Sequence, residues 1–239
     1  MTNLRYVKEM VRPIVPSFIK KGVQRYYVYK ELLDFAVRQR RLDFQVGDQP
    51  WLDEESSEVF CRMLAGSSRY LEYGSGGSTV LAAKLGKPFV SVDTDPYFLR
   101  AVRRKIGKLA SNQHLEHANI GWTKHFGCPF FENPSPQRKK RWKAYAEIPW
   151  RYVEGLPPDL VMVDGRFRVA SALTSCRHLA GAPGSVIVVD DYVDRPHYHI
   201  IEQYAELDCI IGRMAMFKPK HRNCLHLQEA IDRFSCDWR

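Results

Sequence analysis

The sequence predicts an α/β domain with a mostly parallel seven-stranded sheet, one antiparallel strand and helices on both faces, preceded by a helical N-terminal extension. After Gly66, short runs rich in β-branched residues alternate with helical stretches, which is typical of a parallel sheet wound by right-handed crossovers. Several of these runs end in an acidic residue, and a glycine-rich turn follows the first. Only Gly212 and Arg213 separate the last two runs, so we expect a hairpin and hence an antiparallel strand there.

The predicted elements follow one another in a regular order. Strands are predicted at Arg69–Tyr73, Phe89–Asp93, His114–Ala118, Leu160–Asp164, Val186–Asp190, Asp208–Ile211 and Met214–Phe217. Helices are predicted at Leu52–Leu64, Thr79–Leu85, Tyr97–Leu109, Val169–Leu179 and His199–Leu207. This order places residues 51–239 in one domain, with an irregular, aromatic-rich lid insertion at about 119–157.

Residues 1–50 form the predicted basic helical extension. Residues 1–41 hold ten Lys or Arg against three acids, so most of the net charge of +9 lies in this arm. Apolar spacing predicts one helix over Ile14–Tyr27 and a second over Val28–Arg41. Three interpretations stay open: a cover packed on the core, a contact with an anionic membrane surface, and nucleic-acid binding. No nucleic-acid-binding motif accompanies the bases, which disfavours the third.

Composition excludes several classes of protein. No apolar run of eighteen residues is present and residues 1–8 lack a signal-peptide core, so neither a membrane span nor secretion is expected. The six cysteines include no C-x-x-C pair, which disfavours a zinc site or a disulfide framework. We therefore expect a cytoplasmic protein, with peripheral contact at the inner membrane surface through residues 1–41 as the one membrane interpretation.

The turn between the first predicted strand and its helix carries the strongest motif. Glycines let the backbone turn tightly and approach a ligand, and helix-start N–H groups attract anions. The dinucleotide fingerprint requires glycine at position 79, where Thr79 stands. The stretch instead resembles the E/D-x-G-x-G-x-G motif of S-adenosylmethionine (SAM)-dependent methyltransferases, with Glu72, Gly74 and Gly76 in place and Ser78 at the last glycine.

An acid follows at the spacing that an adenosine ligand requires. Asp93 lies 17 residues after Gly76, at the end of the next predicted strand, where a carboxylate accepts both ribose hydroxyls. The resemblance implies the Rossmann-like class I methyltransferase fold and SAM as cofactor. The predicted cofactor-binding residues are Glu72, Gly74, Ser75, Gly76, Ser78, Asp93 and Asp164.

Carboxylates also end two later strands, at Asp164 and at Asp190 with Asp191. If these strands are neighbours, the three acids crowd together, which favours protonation or a bound cation such as Mg²⁺. The pattern resembles metal-dependent O-methyltransferases, which implies Asp164, Asp190 and Asp191 as metal ligands and catalytic residues. The alternative is that Asp164 contacts cofactor and substrate while a later acid caps a helix. His197 is the candidate general base.

Two segments carry a more specific resemblance. Val163–Ala170, which contains the letters VDGRFR, and Ile211–Phe217 are similar to poorly characterised bacterial methyltransferase-like proteins, and the likeness extends from Trp51 to Phe217. Within the first segment, Arg166 and Arg168 are suited either to gripping an anionic substrate or to pairing with neighbouring acids.

Together these patterns predict a SAM-dependent O-methyltransferase that acts on a small molecule or a glycan hydroxyl, with Mg²⁺ assistance as one option. One alternative is a non-catalytic binding or scaffold protein that keeps the fold. The other is a nucleic-acid methyltransferase, which is disfavoured because Asp164–Phe167 stands where amino-methylating DNA enzymes carry Asn/Asp-Pro-Pro-Tyr/Phe.

Overall fold

The computed structural model describes residues 17–41, 44–220 and 226–239. The chain divides into two compact units, Met1–Asp43 and Phe44–Arg239. In the first unit the described residues form one continuous helix, α1 (Ser17–Arg41). The prediction of two helices was wrong at their junction, because neither proline nor glycine interrupts the backbone around Tyr27 and Val28. The first three residues of the predicted Ile14–Tyr27 helix lie outside the described residues.

In the second unit helices and strands alternate along the chain. The elements in order are α2 (Glu54–Gly66), β1 (Tyr70–Tyr73), α3 (Gly77–Lys84), β2 (Phe89–Asp93), α4 (Pro96–Ile106), β3 (Gln113–His117), α5 (Pro136–Ala144), β4 (Leu160–Val163), α6 (Arg168–His178), β5 (Val186–Val189), β6 (Ala205–Ile211), β7 (Met214–Pro219) and α7 (Leu227–Phe234). Short 3₁₀ helices cover His125–Gly127, Tyr145–Glu147, Pro149–Tyr152 and Pro196–Gln203.

The strands form one seven-stranded sheet in the order β3-β2-β1-β4-β5-β7-β6. The pairs β1–β2, β1–β4, β2–β3 and β4–β5 are parallel. Strand β7 runs antiparallel to both β5 and β6. The predicted fold class is therefore confirmed, including the antiparallel strand after the turn at Gly212. This order makes β4 and β5 neighbours, so the acids that follow them meet.

Alternate residues of each central strand face opposite layers of the core. In β4, Val161 and Val163 pack in the cluster that contains α6 and α7. Leu160 and Met162 pack in the cluster that contains α2 and Ala82 of α3. Both faces of the strand are buried, as is typical of a central parallel strand between helical layers. The sheet is thus packed tightly between two layers of helices, which holds the carboxyl ends of its central strands in place.

Two parts of the second unit differ from the prediction. The helix predicted over His199–Leu207 is a 3₁₀ helix that ends at Gln203, and β6 begins at Ala205. Pairing with β7 overrides the helical pattern of Ala205–Leu207, because strand preference depends on the partner strand. Helices α5 and α7 were not predicted. Among the described residues, no helix is both long and apolar enough to cross a bilayer.

Candidate active site

The turn after β1 brings the backbones of two strands into direct contact. Gly74 has a φ of +94°, a conformation that strongly favours glycine. A Cβ atom added at Gly74 would lie 2.7 Å from the backbone nitrogen of Gly165, which follows β4. By contrast, a Cβ added at Gly76 would meet no atom within 4 Å. The turn is therefore closed toward β4 and open at Gly76, which leaves room for a ligand beside its backbone.

Beneath this turn, the carboxylate of Glu72 is buried among hydroxyl groups. It accepts hydrogen bonds from Tyr70 Oη at 2.9 Å, from Ser91 Oγ at 2.7 Å, from Thr79 Oγ1 at 2.5 Å and from Ser78 Oγ. Burial raises the pKa of Glu72, although these hydroxyls oppose the shift. All four donors are side chains of the protein, so the Glu72 carboxylate is satisfied internally, and the predicted contact of Glu72 and Ser78 with the cofactor stays a prediction. Their role is to hold the turn from below.

Asp93 lies directly beside the turn, at the end of β2. Its Oδ2 accepts from the backbone N–H of Ser75 at 3.1 Å, and its Oδ1 accepts from that of Asp95 at 2.7 Å. Burial raises the pKa of Asp93 to about 7, against these two N–H groups. The structure thus brings together the open backbone at Gly76 and the acid predicted to hold a ribose.

The three later acids surround one buried guanidinium. Arg168, at the start of α6, donates from Nη2 to Asp164 Oδ1 at 2.8 Å and from Nη1 to Asp191 Oδ2 at 3.0 Å. Nη1 also donates to the backbone oxygen of Asp190 at 2.7 Å. The side chain of Arg168 is only 4% exposed. A fixed positive charge therefore occupies the centre of the predicted metal site.

Two further arginines complete this acid–arginine cluster. Arg213 binds Asp190 with two hydrogen bonds, Nε to Oδ1 at 2.8 Å and Nη2 to Oδ2 at 3.0 Å. Arg195 donates from Nη2 to Asp191 Oδ2 at 2.8 Å. Bidentate guanidinium–carboxylate pairs are strong and use the oxygens that a hard cation needs.

The predicted magnesium site at Asp164, Asp190 and Asp191 is therefore not supported by this structure. Three carboxylates face three guanidinium groups, so their negative charge is already balanced. In the described part of the chain, no group of three or more His, Cys, Asp or Glu side chains is arranged to hold a metal ion. The donor set does not fit Mg²⁺.

The side chain of Asp164 is 32% exposed and that of Asp191 is 26% exposed, whereas that of Asp190 is 1% exposed. Burial raises the pKa of Asp164 to about 7, the charge of Arg168 opposes this shift, and the charge of Asp190 adds to it. A carboxyl group with such a pKa exchanges protons near neutral pH. Asp164 is thus the member of the cluster that is equipped for proton transfer at an accessible position.

His197, the predicted general base, lies elsewhere. Its exposed ring packs edge-on against Tyr198, with centroids 4.6 Å apart. Partial burial lowers the pKa of His197, and the charges that act on it are those of Asp237, Arg239 and Arg195. Two of these residues lie at the C-terminus and the third, Arg195, pairs with Asp191. The role of His197 as general base stays a prediction.

The lid insertion lies across the carboxyl edge of the sheet. Thr94 Oγ1, just after β2, donates to the backbone oxygen of Gly127 at 2.8 Å. Arg166 Nη1, just after β4, donates to Cys128 Sγ at 3.4 Å. The loop that carries Gly127 and Cys128 therefore spans from the Asp93 side of the edge to the Asp164 side. Phe126, at the tip of this loop, stacks on Trp51 with centroids 6.0 Å apart.

Sequence reasoning missed most of the arginine partners. Arg168 lies four residues after Asp164, the spacing of an ion pair on one helical turn, so a signal was present. Arg213 lies 23 residues from Asp190 and is brought to it by the β6–β7 hairpin. No local sequence pattern predicts the contact between Arg213 and Asp190.

Comparison with solved structures identifies related proteins. The chain is 30% identical to a methyltransferase-like protein from Silicibacter pomeroyi DSS-3, with a TM-score of 0.67, covering 81% of this chain and 100% of that one. Weaker likenesses are to cofactor-bound Rv0187 from MTB (15% identity, 81% and 91% covered, TM-score 0.47) and a putative O-methyltransferase from Klebsiella pneumoniae (13%, 90% and 95%, 0.46). No protein-family model and no curated protein matches the sequence.

Proposed function

The chain belongs to the methyltransferase-like proteins with the class I methyltransferase fold, and from this premise we propose that it transfers a methyl group from SAM to an oxygen atom of a small-molecule or glycan acceptor. The observation that carries the proposal is the junction of Asp93 with the glycine turn through the N–H of Ser75, beside open space at Gly76. This junction places open backbone at Gly76 and a strand-end carboxylate at one place, beyond the carboxyl ends of β1 and β2, where α/β sheets bind adenosyl ligands.

The residues present fit SAM, whose sulfonium supplies an electrophilic methyl group when it is bound. The amino-acid end would lie against the open backbone at Gly76, and Asp93 would accept hydrogen bonds from the ribose hydroxyls. Glu72 keeps the turn in shape from beneath. The loop at Gly127 would limit the access of water from the lid side.

Asp164 is the proton acceptor in this proposal. Bound SAM would supply the methyl group to the acceptor oxygen and leave as SAH, and the Asp164 carboxylate would take the hydroxyl proton of the acceptor. A pKa of about 7 suits this transfer, because the group is ionised often enough to act as a base near neutral pH. Arg168 fixes the carboxylate in position through the contact to Oδ1. The reaction follows without a metal ion, since guanidinium groups balance the acids.

Calorimetric titration with S-adenosylhomocysteine (SAH), the demethylated product, tests the cofactor site. Gly76→Leu extends a side chain into the open space, where its Cβ atom meets nothing within 4 Å, and we expect the variant to keep the wild-type circular dichroism spectrum but to lose SAH binding. Gly181→Leu is the matched control, because a side chain there also meets no atom within 4 Å and is far from β1 in sequence. The control retains binding. Absence of heat with the folded wild-type chain contradicts the proposal and favours a non-catalytic scaffold.

A further inference from the structure

One arginine at the carboxyl edge of the sheet has no carboxylate partner. Arg168, Arg195 and Arg213 each form an ion pair with Asp164, Asp190 or Asp191. Within the described residues, Arg166 forms none. Since three acids balance three arginines in the cluster, the charge of Arg166 is the surplus one beside Asp164.

The contacts of Arg166 leave much of its hydrogen-bonding capacity unused. Nη1 donates only to Cys128 Sγ, at 3.4 Å, and a thiol is a weak acceptor. The Nε atom is buried and has no hydrogen-bond partner. A buried N–H group without a partner is costly, so such an atom indicates that an acceptor is missing from its surroundings.

The backbone holds Arg166 rigidly at the edge of the site. It lies between Gly165, which packs against Gly74, and Phe167, which is fully buried in a left-handed conformation. The ring of Phe167 packs against Tyr145, with centroids 5.1 Å apart. The backbone N–H of Arg166 donates to Tyr145 Oη at 3.4 Å. The backbone from which the Arg166 side chain extends is therefore held in place by packing on both sides.

The guanidinium is near both halves of the proposed site. Burial raises the pKa of Asp93, and the positive charge of Arg166 is one of the influences that oppose this shift. Burial also raises the pKa of Tyr198, and the positive charge of Arg166 is again among the influences that oppose the shift. Tyr198 is fully buried and receives a hydrogen bond from Arg195. The charge of Arg166 thus acts on a residue at the end of β2 and on one in the 3₁₀ helix after β5. An acceptor next to Asp164 would be within this region.

We propose that Arg166 binds an oxyanion, a carboxylate or phosphate group, on the methyl acceptor. A guanidinium matches the two oxygens of such a group through parallel N–H donors, and Nε is one of the donors used in that geometry. The inference rests on the proposed function. It narrows the class of methyl acceptor from any small molecule or glycan to those that carry an acidic group. A neutral acceptor would leave Nε unsatisfied.

The test is calorimetric titration of the full chain, saturated with SAH, with benzoate, inorganic phosphate and the neutral analogue benzamide. We expect wild-type protein to bind at least one of the two anions and to bind benzamide more weakly. Arg166→Gln should weaken anion binding by at least about tenfold, because a hydrogen bond to a charged group is lost. Arg166→Lys should recover part of it, since charge remains without the paired donors.

Two controls separate this inference from the function on which it rests. Arg62→Gln removes an exposed arginine whose partner is Glu58, and it should leave anion binding unchanged. SAH binding by Arg166→Gln should equal that of the wild type, because Arg166 is assigned to the acceptor. If SAH binds but anion affinity is unchanged in Arg166→Gln, the inference is overturned. If Arg166→Gln loses SAH affinity instead, Arg166 serves the cofactor and the inference is likewise overturned.

Discussion

Arg168 Nη2 lies 2.8 Å from Asp164 Oδ1, and the same guanidinium reaches Asp191 and the backbone of Asp190. Replacing Arg168 by methionine, which has a similar length and no charge, leaves the carboxylate of Asp164 and the backbone oxygen of Asp190 without their donor, while Asp190 and Asp191 keep Arg213 and Arg195. We expect the free energy of unfolding to fall by about 3–5 kcal/mol, because an uncompensated buried charge is costly. Urea unfolding measures this loss. Arg62→Met, on the exposed surface, should change stability by less than about 0.5 kcal/mol, and equal losses in the two variants would contradict the assigned role.

The same cluster predicts independence from metal ions. Guanidinium groups already engage the oxygens of Asp164, Asp190 and Asp191, so Mg²⁺ has no vacant set of ligands. Neither EDTA nor added MgCl₂ should change the melting temperature or the affinity for SAH. Melting curves and titrations with and without each reagent check this. A chelator-dependent loss of SAH binding that added Mg²⁺ restores would show that the arginines move aside for a metal.

Glu72 and Asp93 should respond to mutation in opposite ways. In Glu72→Gln, an amide NH₂ replaces one acceptor oxygen among four hydroxyl donors, so the free energy of unfolding should fall by about 1–3 kcal/mol. Folded Glu72→Gln should still bind SAH, because the carboxyl group does not face the open side of the turn. Asp93→Asn should instead bind SAH more weakly than the wild type but measurably, with a smaller change in stability. Urea unfolding and calorimetry on both variants decide between a supporting and a contacting role.

The pKa of Asp93 predicts a pH dependence of cofactor binding. Burial raises that pKa to about 7, so the ionised form is disfavoured in the folded chain, and its contribution to stability declines as pH rises from 3.8 toward 7. Ribose hydroxyls donate to the carboxylate form, so affinity should increase as pH rises through 7. The increase is at most about tenfold per pH unit and levels off above about pH 8.

Calorimetry of SAH binding between about pH 6 and pH 8 measures this dependence. The α-amino group of the ligand titrates in a similar range, so Asp93→Asn is the necessary control. In this variant the α-amino group of the ligand still titrates, but residue 93 does not, because an asparagine side chain is not ionisable. A wild-type profile parallel to that of Asp93→Asn would contradict the assignment of Asp93 to the ribose.

Features of the fold and of the site could be predicted from the sequence where they depend on neighbouring residues, and could not where they depend on contacts between residues distant in the sequence. Strand ends at Asp93 and Asp164 and the turn at Gly74 follow from local patterns, because β-branched runs and glycine constrain the backbone nearby. The contact between Arg213 and Asp190 depends on the hairpin, and the direction of His197 depends on how the 3₁₀ helix packs. Such tertiary contacts determine whether the carboxylates at the sheet edge bind a metal ion or a guanidinium group. The residue types alone do not determine this.

Helix α5 shows a local signal that was overlooked. The basic run within Pro136–Ala144 favoured a loop in the sequence. Ser135 nevertheless caps the helix by accepting from the N–H of Arg138 at 3.4 Å, and Pro136 stands at its first position. Both are helix-start signals. Trp142, on the inner face, is buried and donates to the backbone oxygen of Ile120 at 2.9 Å, so packing of one aromatic residue stabilises a helix whose other residues are mostly solvated.

Helix α1 leads to a prediction about membranes. Its exposed residues include the large apolar side chains Ile19, Val23, Tyr26, Tyr27, Val28, Tyr29, Leu33 and Val37. Arg25 and Lys30 are exposed among them. Cations combined with exposed aromatic and aliphatic groups fit an anionic lipid surface, where each Lys or Arg contributes about 1 kcal/mol. We therefore propose that the full chain binds vesicles containing phosphatidylserine and does not bind vesicles of phosphatidylcholine alone.

Reversing the charge of two residues tests this proposal without shortening the chain. The double variant Arg25→Glu, Lys30→Glu should bind anionic vesicles at least about tenfold more weakly, because two attractive charges become repulsive. The matched control reverses Lys139 and Lys140 on the exposed surface of α5, which keeps the total charge equal. Vesicle co-sedimentation at low and high salt compares the variants. Equal weakening by both pairs would mean that the net charge of the chain, and not helix α1, determines binding to the lipid surface.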